Sequence, residues 1–239
     1  MRVLLVLMIA VIFLGGCVAM DISSMNTAEP LGTNRVRFGY NTGMGASMNY
    51  VADWQNFVQN NEEDDLTFPG EMISSFEGAI GVTDHSDLGA KAWAGLGSAG
   101  VKILYKNSFP QTSPGTYSAI IPSLAYANTN VGYENDDGED LFDHYSVVGP
   151  ECQFLLTKKA SQYFSMTLAG QAGAYLYNVD EDSEKSIQTS LIYRVGLGAN
   201  LKIDVKPMYL MLEAGGEMMQ SDTGGVSFLP YAMVGLGLN

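Results

Sequence analysis

The sequence predicts an all-β fold: a closed, antiparallel, up-and-down transmembrane β-barrel of about ten strands, with eight and twelve as the nearest alternatives. Three observations predict it. Hydrophobicity repeats with a period of two, the segments that carry the repeat are long, and the connections between them alternate between short and long. Ile187 to Ile203 is the clearest case. One face reads Ile187, Thr189, Leu191, Tyr193, Val195, Leu197, Ala199 and Leu201, and the other Gln188, Ser190, Ile192, Arg194, Gly196, Gly198, Asn200 and Lys202. Side chains of a strand alternate between its two faces, so this is one apolar wall and one polar, glycine-rich wall.

The elements follow in chain order. Arg2 begins a short basic region, and Val3 to Leu14 is an unbroken apolar run of 12 residues, the length of a signal segment and too short for a membrane helix. Leu14-Gly15-Gly16-Cys17 has the form of a lipobox, with Cys17 as the lipidation site and residues 1–16 as a removable signal peptide. An ordinary secretory cleavage after a small residue is the alternative. Residues 17–33 then form an N-terminal linker and residues 34–239 the barrel.

Strands are expected near 34–42, 71–83, 87–95, 98–106, 117–127, 144–156, 163–177, 187–202, 207–219 and 227–238. In 34–42, Val36, Phe38 and Tyr40 oppose Arg35, Arg37 and Asn41. In 163–177, Met166, Leu168, Ala172, Ala174 and Leu176 oppose Ser165, Thr167 and Gln171. Several strands exceed the five or six residues usual in soluble sheets and match the roughly 9–11 that a tilted membrane strand needs. Thr83-Asp84-His85-Ser86-Asp87, Gly95-Leu96-Gly97, Ser113-Pro114-Gly115 and Thr223-Gly224-Gly225 are turn signals. Tyr50, Val51, Trp54, Phe57 and Val58 fall at helical spacing and predict a short amphipathic helix in the first long connection, or else a further strand pair.

The connections orient the barrel. With both termini on the periplasmic side, the inner connections are mostly short: 84–86, 107–116, 157–162 and 203–206. The outer ones carry the acidic stretches: 43–70 with Glu62-Glu63-Asp64-Asp65, 128–143 with Asp136-Asp137-Gly138-Glu139-Asp140, and 178–186 with Asp180-Glu181-Asp182. Short turns on one side and long loops on the other are the pattern of outer-membrane barrels. Tyr105, Tyr117, Tyr126, Tyr145, Tyr163, Tyr175, Tyr177 and Tyr231 lie near strand ends, as interfacial girdles require.

Composition narrows the function. Net charge is −14, which argues against nucleic acid as a partner, since phosphate binding needs a basic footprint. Charged residues are only 16% of the chain, and hydrophobic residues at 46% are dispersed rather than gathered into spans. With Cys17 acylated, Cys152 has no partner within the chain, so no structural disulfide is expected. No motif calls for a cofactor or a resident metal.

Alternation assigns Arg35, Arg37, Lys91, Lys102 and Arg194 to the polar wall with Glu77, Glu151, Glu213 and Glu217. Five bases thus face four acids in a lumen little wider than side chains fill, so a network of ion pairs is expected. The alternative is a narrow solute or ion path. Two histidines, His85 and His144, each follow an aspartate. His144, at the outer end of a strand, is the one position where an acid–base group would sit, but no serine or second carboxylate is placed beside it, and no catalytic residue is assigned. The acidic outer loops are hard oxygen donors, so divalent cations are a candidate partner there. Asn135 to Asp140 lacks the spacing of an EF-hand.

Residues 34–239 resemble the small outer-membrane β-barrel proteins of double-membraned bacteria. The best local match is Glu77-Gly78-Ala79-Ile80-Gly81-Val82-Thr83-Asp84, then Asp87-Leu88-Gly89-Ala90-Lys91, then Gly100-Val101-Lys102: a glycine-rich strand, a "TD" turn, a "DLG" restart and a further strand. The chain departs from that group in ending Gly235-Leu236-Gly237-Leu238-Asn239, without a terminal aromatic. The resemblance implies integral residence in the outer membrane, contact with its lipids and with the barrel-assembly machinery, and a structural, surface or narrow porin-like role, not an enzymatic one. Cys17 is expected as a second anchor at the periplasmic face. Two other classes stay open: a soluble, lipid-anchored, lipocalin-like barrel with an apolar ligand inside, and a surface hydrolase near His144.

Overall fold

The computed structural model describes residues 19–21, 23–47, 70–95, 98–111, 113–134, 140–181, 186–222 and 226–238. It contains a two-residue strand β1 (Ala19–Met20) and ten long strands: β2 (Val36–Ser47), β3 (Gly70–Gly81), β4 (Ser86–Ala94), β5 (Ser98–Ser108), β6 (Thr116–Glu134), β7 (Asp140–Lys159), β8 (Phe164–Glu181), β9 (Ser186–Val205), β10 (Met208–Ser221) and β11 (Val226–Leu238). Sequential neighbours pair antiparallel from β2 to β11, and β2 also pairs with β11, which closes the barrel. All ten expected strands are present. The closing ladder joins Met233–Leu238 of β11 to Phe38–Gly43 of β2, and β1 pairs with Ala46 and Ser47 just beyond it, so the ends of the sheet pair with each other as a sheet without water requires.

The boundaries shift most at the long-connection end. Within the loop expected at 128–143, Asn128 to Glu134 instead continue the ladder against Ser146 to Asp140. Polar composition marks a loop only where the backbone lacks a partner, and here the neighbouring strand supplies one. Strands β6 to β9 run 18–20 residues, about twice what a tilted strand needs to cross a bilayer, whereas β2 to β5 have 9–12. The wall is therefore high on one side and low on the other.

Burial alternates along the whole of β5 and β11, and along β4 and β10 apart from the paired buried Ser86-Asp87 and the half-buried Gly215-Gly216. Tyr193, Val195 and Leu197 point outward, Leu197 being 73% exposed, and Leu191 on the same face is half-buried. Phe38, Phe76, Ile103, Leu168 and Phe228 also project outward. Five of the eight girdle tyrosines do not. Tyr175, Tyr177 and Tyr231 are buried in the interior, sharing the parity of Gln171, which faces inward, and of Leu229, and the partly buried Tyr117 and Tyr145 pack against the two interior clusters. Proximity to a strand end does not set direction; register does. Cys152 is free and faces outward.

The interior is not wholly polar. Ile73, Trp93, Tyr175, Ile192, Tyr209, Met211, Leu229 and Met233 form a buried apolar cluster toward one part of the lumen, and Leu104, Ala119, Ile121, Leu155 and Ala169 form a second. Into both clusters the N-terminal stretch inserts: Met20 and Met25 into the first and Ala28 into the second. The stretch expected as a linker is thus, over its described residues, largely a lumen-filling segment. Barrel width grows roughly linearly with strand number, so ten strands give about a quarter more than eight, and one extended chain takes up the added space.

The barrel lumen as the candidate functional site

Each buried charge reaches the lumen because its strand register turns it inward. Of the nine charged residues expected there, eight are buried inside: Arg37, Glu77, Lys91, Lys102, Glu151, Arg194, Glu213 and Glu217. Arg35 is not. It precedes β2 and is exposed, since the chain turns at Gly32 (φ 85°) and Asn34 (φ 61°) before the strand begins. The alternation that would have placed it inside does not extend past Val36.

Arg194 is the centre of one network. Its Nε donates to Glu217 at 2.9 Å and its Nη2 to Gln171 at 2.8 Å, while Nη1 reaches Glu151 at 3.2 Å and the Tyr175 hydroxyl at 3.0 Å. Glu151 in turn holds Lys102 Nζ at 2.6 Å and accepts from Tyr175 at 2.6 Å. Gly196 makes this possible: a Cβ there would lie 2.1–2.2 Å from the Glu217 carboxylate. A guanidinium saturated by planar partners is the arrangement in which a buried arginine is tolerable.

The N-terminal segment completes a second network. Lys91 and Lys102 are direct cross-strand neighbours, a pairing of like charges that is unfavourable on its own. Asp21 resolves it. Its carboxylate pairs with Lys91, and its backbone carbonyl accepts from Lys102 at 3.1 Å. Ser23 Oγ lies 2.9 Å from Lys91 Nζ. Next along the chain, Glu213 accepts from the Ser24 N–H and hydroxyl, both at 2.8 Å, from the Met25 N–H at 2.6 Å and from Tyr231 at 3.0 Å. This clamp holds Met25 at φ 34°, a left-handed conformation costing about 1–2 kcal/mol for a residue with a Cβ.

Farther down, Arg37 donates to Asn26 and Asn200 to the Asn26 carbonyl at 2.9 Å. Ala28 is held on both sides, its N–H by Thr157 and its carbonyl by Ser108, each at 2.8 Å. Lys106 pairs with Asp87 at 2.6 Å and donates to the Glu29 carbonyl at 2.7 Å. Glu29 pairs with Lys159 at 2.6 Å, and the Leu31 N–H reaches Asp87 at 3.1 Å. Backbone and side chain of the segment are thus both bound along its length, as a buried chain outside any sheet requires.

Sequence reasoning missed Asp21, Asp87, Lys106 and Asp204, all buried, and left Lys202, which the alternation of β9 had turned inward, out of the charge network. Parity could have found all but Asp21, since Asp87, Lys106 and Asp204 lie an even number of residues from Lys91, Lys102 and Arg194. Asp21 had no such signal, because the excess of five bases over four acids rested on Arg35, which is not inside.

His85 is exposed in the 82–85 turn. His144 lies on β7, opposite Asn130 on β6 and Asp180 on β8. Among the described residues no three His, Cys, Asp or Glu side chains gather as metal ligands. Residues 62–65, 135–139 and 182 of the acidic stretches, the helical spacing at 50–58, residues 1–16 and Cys17 lie outside the described residues. Asp140, Asp180 and Glu181, expected in loops, are on strands. A lipocalin-like interior is contradicted: the apolar rows face outward and the lumen holds charges and the chain's own N-terminal segment.

The class that fold and lumen define is a closed ten-stranded antiparallel β-barrel filled by a segment of its own chain. Among solved structures, the chain is similar to the outer membrane protease OmpT from Escherichia coli, with 8% identity, a TM-score of 0.49 and coverage of 86% of this chain and 93% of that one. It is also similar to the KdgM porin (10% identity, TM-score 0.39, 85% and 98% covered) and to the translocator domain of the autotransporter NalP from Neisseria meningitidis (8%, 0.37, 100% and 94%). No family model and no curated protein matches the chain.

Proposed function

We propose that the protein is an integral outer-membrane β-barrel lipoprotein with a structural or surface role, acylated at Cys17 and sealed by its own residues 19–31. The observation that carries this reading is the pairing of two surfaces: apolar side chains outward around the barrel and a charged lumen whose partners include the inserted segment. Outward Leu, Ile, Val and Phe suit a hydrocarbon surround and would be unfavourable in water, at about 25 cal/mol per Å² left exposed. Its partners are then outer-membrane lipids and, during insertion, the assembly machinery, with no role for nucleic acid.

A sealed lumen favours the structural role over narrow porin-like transport, because solute passage requires residues 19–31 to leave. The test is planar-bilayer recording of the full chain. A silent bilayer with rare openings is expected, alongside heat-modifiable gel mobility and extraction only by detergent. Steady conductance from the full chain would sink the sealed reading, and recovery in the soluble fraction the membrane one.

A further inference from the structure

The direction in which the N-terminal segment threads the barrel is opposite to that expected of a periplasmic anchor. Ala19 pairs with Ser47 and Met20 with Ala46, at the end of β2 that leads into the long connection 48–69. From there the segment descends past Lys91, Glu213 and Thr157 to Asp87, beside the short 82–85 turn, and only then begins β2. The chain therefore crosses the lumen from the long-connection end to the short-turn end before the first barrel strand.

Cys17 precedes Ala19 by two residues, a reach of about 7 Å of extended chain. The entry point is on the low side of the wall. The twelve residues of β2, at about 3.3 Å each and a tilt near 45°, rise roughly 28 Å, close to the thickness of one hydrocarbon layer. A group attached at Cys17 thus starts at the level of the bilayer surface on the long-connection side. We infer that the acyl chains on Cys17 emerge at that end and insert into the outward-facing leaflet, so that the protein is pinned from the cell surface. This rests on the lipidated outer-membrane reading proposed above. It also requires that the segment be seated as the barrel closes: β11 pairs with β2 only over Met233–Leu238, and Ala19 and Met20 pair with β2 just past the end of that ladder.

Directly paired residues on antiparallel strands have Cα atoms about 4.5–5.5 Å apart, within disulfide range. The test uses the full chain in its own cells with Cys152→Ser as background. Ala19→Cys with Ser47→Cys should cross-link under mild oxidation, and Ala19→Cys with His85→Cys should not. Metabolic labelling with an alkyne fatty acid should mark Cys17 in the same protein. In single variants, a membrane-impermeant maleimide on intact cells should label Asp137→Cys, while His85→Cys reacts only after permeabilisation. An acylated, heat-modifiable protein that fails to form the 19–47 cross-link, or forms the 19–85 one, overturns the surface anchor while leaving the lipoprotein reading intact. Labelling of His85→Cys in intact cells overturns the surface anchor alone, and absence of acylation overturns both.

Discussion

Replacing Glu213 by alanine should loosen the segment that seals the lumen without dismantling the wall. The Glu213 carboxylate accepts four hydrogen bonds, three from Ser24 and Met25 and one from Tyr231, and the residue is only 3% exposed. Hydrogen bonds to an ionised group contribute about 1.5–3 kcal/mol each, and they do not add, because donors left behind relax or recruit water. Removing the carboxylate leaves these four buried donors without that acceptor, at about 1–3 kcal/mol each and less than additively. The segment also loses what held Met25 at positive φ. A shift of about 3–5 kcal/mol in the seated-to-unseated equilibrium is a factor of roughly 10² to 10³ or more in the unseated fraction. The assay is open probability in planar bilayers, with heat-modifiable mobility as the control that the barrel still closes. Glu213→Gln keeps one accepting oxygen and should fall between wild type and Glu213→Ala. If Glu213→Ala folds and its open probability matches wild type, the segment is not what seals the lumen.

Three further outcomes follow from the geometry. Asp21→Asn and Lys91→Met should each lower the urea midpoint, while the double variant loses less than their sum, by a coupling of about 1–3 kcal/mol; strict additivity would mean that this ion pair does not hold the segment. Gly196→Ala should cost about 2–4 kcal/mol of folding stability, since its Cβ would displace the Glu217 carboxylate from Arg194, whereas Gly170→Ala, whose nearest neighbour is a Leu197 methyl at 3.8 Å, should be near neutral; equal midpoints for the two would refute the steric argument. Leu197→Arg should weaken folding into liposomes by up to about 2–4 kcal/mol while leaving detergent-micelle mobility readable; an unchanged liposome midpoint would argue against lipid contact at that face.

Particular residues show how far the sequence alone can be read. In β9 the assignment of Tyr193, Val195 and Leu197 to one face and of Arg194 and Lys202 to the other needed only the period of two, because strand geometry enforces it locally. The same rule, applied without regard to where β2 starts, misplaced Arg35. Applied without parity, the girdle argument misplaced Tyr117, Tyr145, Tyr175, Tyr177 and Tyr231. The loop expected at 128–143 was polar in composition, yet most of it pairs as strand, because the neighbouring strand supplies backbone partners whatever the side chains are.

The N-terminal segment marks the limit. Met20 to Leu31 has no period, no charge run and no turn motif that distinguishes it from a linker. What it does depends on partners 68 residues away at Lys91, 129 at Thr157 and 189 at Glu213, none of which its own composition encodes. The sequence by itself determined a ten-stranded barrel, its inward charges and a candidate lipid anchor, because side-chain alternation and signal motifs are local. Closure of the barrel alone places the N-terminal segment in the lumen and sets the end from which it enters, because both depend on strands far apart in sequence that closure brings together.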